Sequence, residues 1–151
     1  MHLDVALTWM SGTHLVLASA GLCATVVIRE GHDLQPLHPI DSLRQMNPSN
    51  PMGEASSWIV ARALASAPDD LLAGARVLSC SLGQNDHLAL LSPSLAVPVV
   101  ELGFRPQAPP RSPEAWLDWF EEVAKISGNP KDEGLAVALL MLPNVEFKKT
   151  K

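Results

Sequence analysis

The chain has 151 residues, of which 47% are apolar and 18% charged, and carries a formal net charge of −5. That length suits a single domain able to bury a core, the composition excludes a disordered chain, and no apolar run approaches the roughly 20 residues of a membrane-spanning helix. The acidic balance excludes wrapping of nucleic acid, which needs a dense cationic surface, and only the tail FKKTK is locally basic.

The opening MHLDVALTWM has no basic leader followed by a long apolar core, so no signal peptide is expected. Leu3, Val5, Leu7 and Trp9 alternate with Asp4, Ala6 and Thr8, the period of a strand with one buried face. Ser11-Gly12 supplies a turn before HLVLASA, and a second turn near Gly21 leads into CATVVIRE, whose β-branched residues favour a pleated backbone. Residues 1–30 therefore predict a meander of three antiparallel strands. From Gly31 to Gly53, Pro36, Pro39, Pro48 and Pro51 remove backbone donors, which predicts a long irregular crossing.

EASSWIVARALASA predicts a helix over 54–67, ended by Pro68, with a short added turn at 69–72. In RVLSCSLGQNDHLALLSP, Val77, Ser79 and Ser81 share one face and Leu78, Cys80 and Leu82 the other, and GQND turns the chain into HLALLSP, which predicts a hairpin. LAVPVVELGF predicts a further strand, at an edge or bulge because Pro98 donates no ladder bond. After the linker RPQAPPRSPE, Ser112 stands at an N-cap with Pro113 at the first helical position, and Trp116, Trp119, Phe120 and Val123 recur at helical spacing. The apolar run at 135–142 fits a helix or a strand equally.

Cys80, Asp86 and His87 lie within eight positions, the residue types of a nucleophilic site. A nucleophilic thiolate needs an electropositive, partly open surrounding, whereas Cys80 is flanked by leucines in a strand and reads as a core residue. His32, Asp33 and His38 have no second ligand cluster beside them and read as a solvated loop. Gly103 stands alone, so no phosphate-cradling loop is expected, and Glu101, Glu121 and Glu122 read as solvated surface. The stripe of Trp116, Trp119 and Phe120 reads as a core face rather than a docking surface. No catalytic, cofactor-binding or metal-binding residue is expected.

Between Glu54 and Ser92 the order of elements, a serine-containing helix with Ala61-Arg62-Ala63-Leu64-Ala65, the strand VLSCSL, the turn QND and the return strand LALL, resembles the small proteasome assembly chaperones. The paired strands HLVLASAGLCATVVI precede it as in that family. The resemblance covers about the first hundred residues; the fifty that follow have no counterpart in it. It implies a non-enzymatic subunit that forms a heterodimer with a related small assembly chaperone and docks on proteasome α subunits.

The expectations are thus an α+β fold, an antiparallel meander plus hairpin with two to three packed helices. Residues 1–151 form one domain, with 104–151 a C-terminal extension of it. Partner binding is expected near Gln84, Asn85 and Asp86. Neither nucleic acid nor membrane is an expected partner. Two cysteines without a disulfide framework suit the cytoplasm. The alternative is a small cytosolic enzyme or ligand-binding domain with a pocket under the proline-rich crossing 31–53.

Overall fold

The computed structural model describes residues 4–29, 32–49, 52–58, 75–83, 85–127 and 137–141. Its α+β architecture is built on two antiparallel sheets. One runs β1 (Val5–Ser11), β2 (His14–Ala20) and β5 (Arg76–Ser81); the other runs β4 (Gln35–Pro36), β3 (Ala24–Arg29), β6 (Asp86–Leu91) and β7 (Val137–Met141).

β1 and β2 form the expected hairpin, with Trp9 opposite Val16 and Ser11 opposite His14. Its two-residue turn places Gly12 at φ +59°, the positive value that the first position of a type II′ turn requires. β3 does not continue the meander. It crosses at Gly21–Cys23 into the second sheet and pairs with β6, Val27 opposite Leu88.

The expected hairpin of β5 and β6 is likewise corrected: β5 pairs with β2, Leu17 opposite Leu78, and the chain changes sheets between them. The turn is held locally, Gly83 N–H donating to Asp86 Oδ2 at 2.8 Å and Asp86 N–H to the Gly83 carbonyl at 3.2 Å. A hairpin and a sheet-to-sheet crossing share the same local turn chemistry. What separates them is long-range: Leu15 and Leu82, and Val27 and Leu88, meet in one apolar layer only when the two strands lie in facing sheets.

The expected strand at LAVPVVELGF is helical. α2 (Pro93–Ala96) runs into a π-helical turn, Val97–Glu101, in which Leu102 N–H donates to the Val97 carbonyl at 3.0 Å. Pro98 has no N–H for the carbonyl four residues back, so the ladder slips to the i−5 acceptor. Leu95, Ala96, Val97 and Val99 are fully buried, and their burial overrides the strand propensity of the valines.

α3 (Pro113–Ser127) forms as predicted: Ser112 Oγ accepts the Ala115 N–H at 3.2 Å and Pro113 occupies the first turn. Its apolar face of Trp116, Phe120 and Val123 packs with α2 and the π-helical turn onto Val26, Ile28, Ala89 and Leu91 of the second sheet. The ambiguous run at 135–142 contains a strand, β7, because β6 offers a free edge there. Of the helix expected over 54–67, a 3-10 turn at Gly53–Trp58 is described and the remainder lies outside the described residues. The crossing 31–53 carries two small elements that the prolines did not suggest, β4 and the single turn α1 (Leu43–Met46).

The two sheets differ on their outer faces. β3 is buried on both sides, whereas β1, β2 and β5 turn Leu7, Trp9, Val16 and Val77 toward solvent. No described helix is long and apolar enough to cross a membrane.

Candidate functional site

Polar side chains collect at one end of the two sheets, where β2 hands the chain to β3. Gly21 makes that corner with φ +82°, and a β-carbon there would collide with the Asp4 carboxylate, so only glycine fits. Asp4 Oδ1 instead accepts the Leu22 N–H at 3.2 Å. Asp41 closes the corner from the other side: its N–H donates to the Gly21 carbonyl at 2.8 Å and its Oδ2 accepts the Gly21 N–H at 3.3 Å.

Arg76, at the start of β5, donates to Asp41 Oδ1 at 3.0 Å and to the Pro39 carbonyl at 2.5 Å. Asp41 is buried, so this pairing supplies the compensation that an ionised carboxylate needs away from water. His38 lies beside it, its Nδ1 2.9 Å from the same Pro39 carbonyl and 3.3 Å from Ser19 Oγ. A carbonyl only accepts, so Nδ1 carries the proton and Nε2, buried without a partner, is the bare nitrogen. Burial pushes the His38 pKa down, with the nearby Arg76 charge acting in the same direction against the Pro39 carbonyl and Asp41. Cys23, half-buried at the corner, has its thiol pushed up to about 11, first by burial and then by the Asp4 charge.

A second group of acceptors ties the crossing to the helical side. Glu101 takes the Ser42 hydroxyl at 2.6 Å and the Ser57 hydroxyl at 3.0 Å, while Ser42 Oγ caps α1 by accepting the Gln45 N–H at 3.1 Å. The carboxylates here therefore act as acceptors that fix backbone and hydroxyls, and the Cys23 thiol stays protonated near neutral pH.

Sequence reasoning missed most of this. Glu101 was expected on a solvated surface and instead holds two buried serines. The pattern Asp41-Ser42 before LRQM is a legible N-cap, but nothing in sequence connects Asp41 to Arg76 thirty-five residues on.

The residues singled out from sequence are not brought together. Cys80 leans on the layer between the sheets, while His87, next to Leu88 on β6, points to that sheet's other face. His32 donates its N–H to the Arg29 carbonyl, Asp33 pairs with Arg105 at 3.3 Å, and His38 is buried elsewhere. Of the expected partner-binding turn, Asn85 is exposed, Asp86 is buried and paired with Arg29 at 3.2 Å, and Gln84 lies outside the described residues.

No protein-family model and no curated protein sequence matches the chain. Solved structures do. The serine/threonine phosphatase PstP/Ppp of Mycobacterium tuberculosis overlays 89% of this chain with a TM-score of 0.58 at 18% identity, and 57% of its own length is covered. PppA, a regulatory component of the type VI secretion system in Pseudomonas aeruginosa, overlays 92% with a TM-score of 0.60 at 17% identity, and 56% of it is covered. The PPM Ser-Thr phosphatase MsPP of Mycobacterium smegmatis overlays 85% with a TM-score of 0.55 at 21% identity, again with 56% of it covered. At such identities the likeness is one of fold, and this chain spans a little over half the length of the structures it matches.

The overlay corrects the assembly-chaperone reading. The fold is shared with serine/threonine phosphatases, so the non-enzymatic chaperone subunit, its related small-chaperone partner and the proteasome α subunits fall together. The resemblance rested on an order of elements, strand, polar turn, strand, that a hairpin and a sheet-to-sheet crossing share; the pairing of β5 with β2 and of β6 with β3 separates them.

The PstP catalytic domain is also solved with two manganese ions. A pair of such ions needs several carboxylate or imidazole ligands converging on one point. Among the described residues no three of His, Cys, Asp or Glu converge in that way, so they do not fit a two-metal centre.

Proposed function

We propose that this chain acts in serine/threonine dephosphorylation, as a phosphatase-fold unit that engages phosphoserine or phosphothreonine polypeptides. The observation that supports the reading is the backbone match to several serine/threonine phosphatases over 85–92% of the chain. A cytoplasmic location belongs to the same proposal, since Cys23 and Cys80 are both unpaired thiols.

The test presents the purified chain with matched phosphorylated and unphosphorylated serine and threonine peptides, with and without manganese. Release of phosphate, or retention of the phosphorylated peptide over its unmodified twin, supports the reading. Neither release nor discrimination at millimolar peptide removes it.

A ligand-binding reading has one observation behind it. A cleft of about 570 Å³ is lined by the second proline-rich segment, at 104–110, and by α3.

A further inference from the structure

We infer that β1 is the edge through which two copies of this chain pair, antiparallel and about a two-fold axis at Thr8. Among the described residues β1 has a neighbour, β2, on one side only. Its other edge is long and unblunted. The ladder with β2 runs one to one from Val5 opposite Ala20 to Ser11 opposite His14, without a bulge, and VALTWMS holds neither proline nor an ionised side chain. By contrast β4, at an edge of the other sheet, is two residues long and includes Pro36. A regular, uncharged edge of this kind is a template for another strand.

The backbone pattern fixes which groups wait on that edge. A two-residue turn closes on a hydrogen-bonded pair, so Ser11, Trp9, Leu7 and Val5 direct their N–H and C=O groups to β2. The far side of β2 keeps the same alternation: the Thr13 carbonyl accepts the Leu82 N–H at 2.8 Å, which leaves the even-numbered residues of β2 for β1. Ala6, Thr8 and Met10 therefore present theirs outward.

Thr8 is the midpoint of Val5–Ser11. An axis there pairs Thr8 with Thr8 of the second copy and Ala6 with Met10, so every outward N–H and C=O of the strand finds a partner. Moving the axis to Leu7 or Trp9 leaves one end of the strand unpaired. On the outer face the axis at Thr8 sets Leu7 against Trp9 of the second copy, as a close pair between ladder bonds, and these side chains are 62% and 63% exposed in the single chain. Charge selects the same occupant. The chain carries −5, so two copies repel over most approaches, yet β1 brings no charge to the contact and Asp4, the nearest acid, falls opposite Gly12 and not opposite another acid. A single strand edge buries less than a standard interface, so the association is reversible. This surface is independent of the proposed role in dephosphorylation.

The test sediments the full chain between about 5 and 500 µM, the range of weak reversible association. The mass is expected to move from 16.2 kDa toward twice that value, while amide exchange at Thr8 slows by about fivefold or more. Two double variants at exposed positions read the register. Leu7→Glu with Trp9→Glu sets like charges opposite each other and is expected to weaken the dimer about tenfold; Leu7→Glu with Trp9→Lys sets opposite charges together and is expected to bind about threefold tighter than the first. Val77→Glu with Ser79→Glu adds the same charge to the exposed face of β5, away from the edge, and leaves the affinity within about threefold of the parent. A monomer mass at every concentration, equal affinities in the two Leu7 and Trp9 variants, unchanged exchange at Thr8 in the dimer, or loss of the dimer in the β5 variant, which marks stacking of sheet faces, each overturns the pairing.

Discussion

Gly21 and Asp41 hold each other twice, the Asp41 N–H on the Gly21 carbonyl at 2.8 Å and the Gly21 N–H on Asp41 Oδ2 at 3.3 Å. The pair locks the crossing 37–41 against the corner where the chain leaves one sheet for the other. Arg76 completes it from β5, so three distant segments depend on one carboxylate.

Asp41→Ala is therefore expected to destabilise the protein by about 3 kcal/mol, the low end for breaking a buried ion pair because part of the Arg76 side chain reaches solvent. Chemical denaturation measures it. A loss below about 0.5 kcal/mol would show that the corner holds without Asp41.

The pH dependence of stability reports on His38. Its folded pKa lies below the ordinary value of 6.5, so below that pH the unfolded chain takes up a proton the folded one resists. Stability is full above pH 6.5 and drains away as pH falls through the lowered folded value. His38→Asn, which keeps a donor for the Pro39 carbonyl, is expected to flatten that part of the curve. Identical slopes in parent and variant between pH 7.5 and 5 would place the dependence elsewhere.

Cys23 is expected to alkylate slowly. With its thiol pushed up to about 11, its thiolate fraction at pH 8 is on the order of 0.1%, against roughly a quarter for a free cysteine. Labelling by iodoacetamide, read by peptide mass spectrometry, should run about 200-fold slower than a reference peptide thiol. Labelling at the reference rate contradicts the burial argument.

Two tryptophans separate the covered sheet from the bare one. Trp116, 2% exposed between α3 and the second sheet, should cost about 3–5 kcal/mol on truncation to alanine. Trp9, 63% exposed on β1, should cost about 1 kcal/mol or less. Parallel melting of the two variants checks both, and equal losses would mean that the outer face of β1 is covered in solution.

Elements whose signals are local were legible from the residues alone. The β1–β2 turn follows from Gly12, whose φ is positive; α3 follows from Ser112-Pro113 and its aromatic spacing; and the two faces of β5 follow from strict alternation. The burial of Trp116 and Phe120 was legible in the same way. Which strands meet was settled by long-range packing. The turn residues around Gly83 and Asp86 are satisfied equally by a hairpin and by a crossing, and the choice falls to Leu15, Val27, Leu82 and Leu88 closing one layer between two sheets. Burial also overrode local preference at Val97–Glu101, where apolar residues of strand-like composition became a π-helical turn because Pro98 breaks the ladder and the core takes Val97 and Val99. The candidate site lay furthest from sequence, since Asp41, Arg76, Gly21 and Glu101 come from four segments. A salt bridge or hydroxyl contact between distant segments leaves no periodic trace; it exists only once loop closure has been paid for by the packing of the sheets.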